Sequence, residues 1–127
     1  IKNRGTRQNT WKRWLPAFFM MTIIFTTSSM SGDLTHQLGF TDLLLRKAMH
    51  VTGYALLGGA LIYAVLEIFS NPYITAWGMS VVYACSDEFH QSFIPGRSAR
   101  LFDVGIDAAG AILGLVIFWW ITRLRDR

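Results

Sequence analysis

Residues 86–114, SDEFHQSFIPGRSARLFDVGIDAAGAILG, decide the architecture of this chain. The stretch is dense in acidic, basic, histidine and glutamine side chains, and it lies between two strongly apolar runs. Ionisable side chains are expensive within or at the margin of a membrane span, so they mark functional positions by default. The stretch therefore predicts a polar site between membrane-spanning helices.

The composition of the whole chain is typical of an integral membrane protein. The 127 residues are 52% hydrophobic and only 16% charged, and the mean hydropathy is +0.33. The apolar runs approach the roughly 20 residues that a helix needs to cross a bilayer. They are continuous, as in helices, rather than alternating. The length suits one domain, so we expect a single all-α membrane domain over residues 1–127. The lone cysteine, Cys85, lies in an apolar run and is expected to be a buried packing residue.

Four transmembrane helices are predicted, at about residues 14–30, 48–69, 73–93 and 102–122. Basic residues crowd both ends of the chain, and the positive-inside rule then places both termini in the cytoplasm. Arg4 and Arg125 are expected inside, and Asp33 and Arg97 outside.

The first apolar run also resembles a secretory signal peptide, because the small residues 26–29 follow it. Its removal would leave three spans and put the basic C-terminus opposite the basic start. We therefore interpret it as a retained span of a multi-pass protein in the bacterial plasma membrane.

The segment between the first two spans, residues 31–47, is predicted to be an outer loop. Its leucines suit a short amphipathic helix that lies along the membrane interface. These are Leu34, Leu38, Leu44 and Leu45.

One face of the fourth span combines acidic residues with small ones. Asp103, Asp107, Gly110 and Gly114 follow at intervals of four, three and four residues, which places them on one side of a helix. Two glycines at this spacing form a small-xxx-small motif, typical of closely packed membrane helices. We expect Gly110 and Gly114 to lie against another helix.

Polar residues from three helices and one loop fall at the same predicted membrane depth, on the outer side. We expect them to converge in one outward-facing polar pocket, because charges scattered over a lipid-facing surface would be prohibitively costly. The candidate ligand-binding residues are His50, Tyr54, Asp87, Glu88, His90, Gln91, Arg97, Arg100, Asp103 and Asp107. Arg97 follows the Pro95-Gly96 turn and is expected to contact a carboxylate, either Glu88 or Asp103.

Two other interpretations of these residues stay open. In one, Arg97 and Arg100 neutralise the carboxylates in an internal salt-bridge network whose role is structural. In the other, the protein is an enzyme, and Glu88 and Asp107 act as acid and base in a low-dielectric pocket. No residue at a diagnostic spacing identifies a nucleophile, so the catalytic residues are not assigned.

Some of these residue types also suit a metal site. His50, Glu88, His90 and Asp103 offer suitable nitrogen and oxygen ligands, but they follow no established ligand spacing. Neither a metal nor another cofactor is predicted. The net charge of +4 does not predict nucleic-acid binding either, because no recognised binding motif accompanies it.

The polar residues also resemble a known signature. The pattern Asp87-Glu88-x-His90-Gln91-x-Phe93-x-Pro95-Gly96-Arg97, followed by Asp103-Val104 and Gly110-x-x-x-Gly114, closely resembles that of VanZ-like membrane proteins. Upstream, Lys47-x-x-His50-x-x-x-Tyr54 is similar to the second-span pattern of the same family. The resemblance covers about residues 46–115. The family's namesake is associated with low-level resistance to teicoplanin, a lipoglycopeptide that acts outside the cell, so the resemblance implies an envelope-facing role.

The expected function is the binding of an amphiphilic envelope molecule, such as a lipoglycopeptide antibiotic or a lipid-linked wall precursor. The resemblance adds a contribution to glycopeptide resistance. The alternative is a membrane-embedded hydrolase or transferase that acts on a lipid-linked envelope substrate, and whether the protein is an enzyme stays open. Membrane lipids and the envelope ligand are the expected partners, and the oligomeric state is not predicted.

Overall fold

A computed structural model describes residues 10–29, 40–94 and 101–127, with side chains for all of these except 40–43. Every regular element in these ranges is helical. A 3₁₀ helix, Trp11–Trp14, leads directly into helix α1, Leu15–Ser28. Three longer helices follow: α2, Phe40–Val65; α3, Pro72–Gln91; and α4, Leu101–Arg125. The all-α class predicted from the sequence is confirmed for the described residues.

Two of the helices are long and apolar enough to cross a membrane. They are the Leu44–Val65 part of α2 and the whole of α4, Leu101–Arg125. Within the described ranges, α1 and α3 do not qualify. Helix α1 has only 14 residues, and α3 ends in the polar sequence SDEFHQ. The prediction of four spans with both termini in the cytoplasm therefore stays a prediction.

Helix α2 begins earlier than the sequence pattern indicated, at Phe40 rather than Ala48. The prediction of a loop over residues 31–47 is wrong from Phe40 onward, because these residues continue α2. No glycine or proline interrupts them, and leucine, arginine and lysine are good helix formers. The remaining part of the predicted loop lies outside the described residues.

Residues 66–71 connect α2 to α3. Asn71 precedes the helix and Pro72 occupies its first turn, where a missing backbone N–H costs little. On the same side of the bundle, Arg13 Nη1 lies 2.7 Å from Glu67 Oε2. The Arg13 guanidinium also lies 4.6 Å from the centre of the Tyr63 ring. The beginning of α1 and the end of α2 therefore lie together.

Helix α2 is the centre of the fold and contacts the other three helices. It supplies most of the large buried side chains, which are Tyr54, Leu57, Leu61, Ile62 and Val65. Small residues of the neighbouring helices, such as Ala76 and Ala84 of α3, pack against them. Its most extensive packing is against α4.

Glycines bring the backbones of α2 and α4 into direct contact. A Cβ atom on Gly110 would lie 2.8 Å from the Val51 carbonyl oxygen. A Cβ atom on Gly114 would overlap the Ala55 carbonyl oxygen outright. The prediction that both glycines lie against another helix is confirmed, and the packing follows the small-residue pattern of membrane helices.

The outer surface of the bundle is rich in large apolar side chains. Phe19 of α1, Val82 and Phe89 of α3 and Trp120 of α4 are all exposed. Cys85 is exposed on this surface as well, so the expectation that it is buried is wrong. Asp87 and Asp107, in contrast, are buried. Aspartate side chains are almost never fully buried in soluble proteins unless they are paired.

Candidate functional site

Polar residues from all four helices meet at the end of the bundle opposite the Arg13–Glu67 pair. His50 lies in the first half of α2, Asp107 in the first half of α4, and Asp87 near the end of α3. Because successive helices run in opposite directions, these positions come together in space. The name polar cluster is used for the residues that side-chain hydrogen bonds and the stacking of His50 on Tyr54 link together: Ser28, His50, Tyr54, Asp87, Gln91 and Asp107.

The first connection in the polar cluster joins α2 to α4. His50 Nδ1 lies 3.1 Å from Asp107 Oδ1, and the two side chains are 23% and 1% exposed respectively. The imidazole ring also stacks on Tyr54, one turn further along α2, with 6.4 Å between the ring centres. This one-turn spacing is why both side chains face α4 and α3 from the same side of α2.

Asp87 connects α3 to α2, and Gln91 connects α3 to α1. The Tyr54 hydroxyl donates a hydrogen bond of 3.2 Å to Asp87 Oδ2, and Gln91 Nε2 lies 3.5 Å from the same oxygen. Gln91 Nε2 also donates a 3.2 Å hydrogen bond to Ser28 Oγ at the end of α1. The glutamine is one helical turn after Asp87, so a single face of α3 holds both contacts.

Each of the two buried aspartates keeps one oxygen without a hydrogen-bond partner among the described residues. These atoms are Asp87 Oδ1 and Asp107 Oδ2. A ring nitrogen of His50 and one carboxylate oxygen from each aspartate all lie within 4.8 Å of one another. A buried carboxylate oxygen that accepts no hydrogen bond is costly. The arrangement can therefore accept hydrogen bonds from a ligand or hold a cation.

The other predicted site residues divide into three groups. Glu88 is buried on α3, and Asp103 is half-buried one turn before Asp107 on α4. His90 faces α1 instead, where its Nε2 atom lies 2.9 Å from Ser29 Oγ and its ring stacks on Phe25. Arg97 and Arg100 lie outside the described residues, so the predicted contact between Arg97 and a carboxylate stays a prediction.

The contribution of α1 is the part of the site that the sequence pattern did not reveal. Ser28 and Ser29 contact Gln91 and His90 respectively. The Tyr83 hydroxyl of α3 donates a hydrogen bond to the Met21 carbonyl oxygen of α1. The sequence does contain a signal for this contribution, because the polar residues 26–29 lie at the same predicted membrane depth as the other polar groups. Their small side chains were interpreted only as a resemblance to a cleavage site.

The potential metal-ligating group also differs from the one considered on residue type. Among the described residues, the three side chains that converge are His50, Asp87 and Asp107, rather than a set that includes Glu88 or His90. They come from three different helices. Spacing along the chain carries no information about such a group, because it does not fix how the helices are rotated against one another.

The fold and the polar cluster define a helical protein with candidate membrane spans and a buried histidine–carboxylate site. The family model described as VanZ/LLP1 matches residues 6–122. The chain therefore belongs to the VanZ/LLP1 family, as the resemblance indicated, and the match covers nearly the whole chain. Comparisons with curated proteins and with solved structures found no match.

Proposed function

We propose that this protein is a four-span protein of the bacterial plasma membrane whose polar cluster is an outward-facing pocket for an amphiphilic molecule of the cell envelope. One observation carries the proposal. Asp87 and Asp107 are 4% and 1% exposed, each with an oxygen that accepts no hydrogen bond from the described residues. The bundle around them has an apolar outer surface. Buried carboxylate oxygens without hydrogen-bond partners favour a ligand that donates hydrogen bonds to them.

Exposed side chains of α1 and α3 support four spans rather than two. Phe18, Phe19 and Phe25 project from α1, and Val82 and Phe89 from α3. Apolar surfaces of this extent suit contact with lipid. The 14 residues of α1 span roughly 21 Å at about 1.5 Å per residue, whereas the hydrocarbon core is about 30 Å thick. Local thinning of the bilayer around short helices would bring the polar cluster closer to water.

The chemistry of the polar cluster suits a polar headgroup on an apolar chain. Carboxylate oxygens of Asp87 and Asp107 accept hydrogen bonds from hydroxyl, amide or ammonium groups. Arg97 and Arg100 are predicted to meet phosphate or carboxylate groups, which match the planar guanidinium. Lipoglycopeptides and lipid-linked wall precursors carry such headgroups, and their apolar chains suit the lipid-facing helix surfaces. The association of the family's namesake with teicoplanin makes this lipoglycopeptide the first ligand to test.

Replacement of Asp87 by asparagine is expected to weaken ligand binding at least tenfold while the fold is retained. The substitution keeps the size of the side chain but turns one acceptor oxygen into a donor group, so the bond from the ligand is lost. The measurement is the Kd of fluorescent teicoplanin, and of a lipid-linked wall precursor, for protein in lipid nanodiscs. Asp126→Asn is the matched control, because Asp126 is exposed beyond α4. The proposal would be contradicted if the two variants had equal Kd values for teicoplanin and also equal Kd values for the precursor.

The enzymatic alternative rests on the burial of Glu88 and Asp107, which suits acid–base chemistry. Glu88→Gln separates the two functions. A binding protein should lose affinity, whereas an enzyme should still bind its substrate and stop converting it. Mass spectrometry of the precursor after incubation gives the second readout. Product formation by the unmodified protein, lost in Glu88→Gln without a change in Kd, would replace the binding proposal with the enzymatic one.

A further inference from the structure

We propose that His50, Asp87 and Asp107 form a binding site for one divalent transition-metal cation, with Zn²⁺ as the best match. The site uses residues of three helices, α2, α3 and α4. It involves the same two buried aspartates as the proposed pocket, but zinc binding requires no envelope ligand and can be tested without one.

The separation of the three side chains fits a single cation. One ring nitrogen and two carboxylate oxygens lie within 4.8 Å of one another. A cation at the centre of these three atoms would lie no more than about 2.8 Å from each of them. Zinc bonds to nitrogen and oxygen are about 2.0–2.2 Å long, so each side chain needs to move inward by less than about 1 Å. Rotamer adjustments of this size leave the helices in place.

The negative charge of the two buried aspartates also favours a bound cation. Asp87 and Asp107 are both more than nine-tenths buried, and ionised carboxylates close together in a low-dielectric interior repel one another. Asp87 Oδ1 and Asp107 Oδ2 have no hydrogen-bond partner among the described residues. Buried charges in proteins are paired or coordinate metals. A divalent cation held by one oxygen of each aspartate would compensate both carboxylates at once.

The surrounding hydrogen bonds match those that usually support a metal site. Tyr54 and Gln91 donate to Asp87 Oδ2 and leave Oδ1 open. Carboxylate ligands in metal sites are commonly held by hydrogen bonds of this kind, which fix their orientation. Imidazole nitrogen together with carboxylate oxygen suits zinc better than calcium or magnesium, which prefer oxygen alone. Three protein ligands also leave a coordination position open, as in catalytic zinc sites.

The test is zinc binding by the full chain, purified without a histidine tag, stripped with a chelator and placed in nanodiscs. We expect the unmodified protein to bind one zinc ion per chain. The zinc Kd should rise at least tenfold in each of three variants: His50→Gln, Asp87→Asn and Asp107→Asn. Loss of a residue that only supports a metal ligand already costs about tenfold or more in affinity. Asp126→Asn, which makes the same change at an exposed position, should bind like the unmodified protein. No envelope ligand is added, so this test and the teicoplanin test can fail separately.

Three results would overturn the proposal. The unmodified chain could bind no zinc, or the three cluster variants could bind it as tightly as the parent. Zinc could also bind only after Arg97→Ala, which would mean that the arginine occupies this position in the natural chain. If a cluster variant does not fold, X-ray absorption of the zinc-loaded parent decides the matter. It should show imidazole and oxygen ligands, and sulfur ligation or oxygen ligands alone would overturn the site.

Discussion

Replacement of Gly114 by leucine is expected to destabilise the folded protein by about 3 kcal/mol or more, at or beyond the upper end of the range for overpacked cores. A Cβ atom on residue 114 would overlap the carbonyl oxygen of Ala55 and crowd its Cα atom as well. These are backbone atoms of α2, so no change of rotamer relieves the overlap. The two central helices would have to separate, and the neighbouring contact of Gly110 with Val51 would be lost with them.

Thermal unfolding in detergent measures this effect, with Gly105→Leu as the matched control on the same helix. Gly105 is exposed, and a Cβ atom there would meet no atom within 4 Å. Leucine is a better helix former than glycine by up to about 1 kcal/mol, so the control should be as stable as the parent or slightly more stable. Equal melting temperatures for Gly114→Leu and Gly105→Leu would show that α2 and α4 do not pack as described.

Replacement of His50 by leucine is expected to destabilise the protein by about 3 kcal/mol, the upper end of the cost of leaving a buried acceptor without its hydrogen-bond partner. The imidazole lies 3.1 Å from the buried Asp107 carboxylate. Without it, Asp107 Oδ1 loses its partner, and Asp107 Oδ2 already has none among the described residues. Chemical unfolding of metal-free protein in detergent measures the loss without any contribution from a bound cation.

The double variant His50→Leu with Asp107→Asn tests the reason for that loss. Asparagine carries no charge, so the double variant should be more stable than His50→Leu alone although it contains one more substitution. Stabilisation of the single variant by the second change is the signature of a buried charge left uncompensated. A double variant that is less stable than His50→Leu would mean that Asp107 carries no uncompensated charge after the imidazole is removed.

For the described ranges, the four α-helices and their order could be predicted from the sequence, because each apolar run is continuous and is separated from the next by polar or turn-forming residues. Pro72 marks the start of α3, and the spacing of Gly110 and Gly114 indicated close packing. The start of α2 was placed too late because Leu44 and Leu45 also fit an amphipathic helix at the membrane interface. Local pattern cannot separate that helix from an extension of α2, whose first turns continue without a break.

Within the site, residues one turn apart on one helix could be grouped from the sequence. His50 with Tyr54 and Asp103 with Asp107 are such pairs. The choice of partners across helices could not be predicted, since it depends on how each helix is rotated. Asp87 therefore meets the Tyr54 hydroxyl, while His90, only three residues later, faces Ser29 of α1.

The most direct test of the central claim is the side of the membrane on which the polar cluster lies. Cys85 is exposed and is first replaced by serine. Ser92, directly after α3 at the cluster end, and Ser70, between α2 and α3 at the other end, are both exposed and are changed singly to cysteine. In intact cells, a membrane-impermeant maleimide should label Ser92→Cys and should label Ser70→Cys only after permeabilisation. Labelling of Ser70→Cys with protection of Ser92→Cys would place the polar cluster on the cytoplasmic side and contradict an outward-facing pocket.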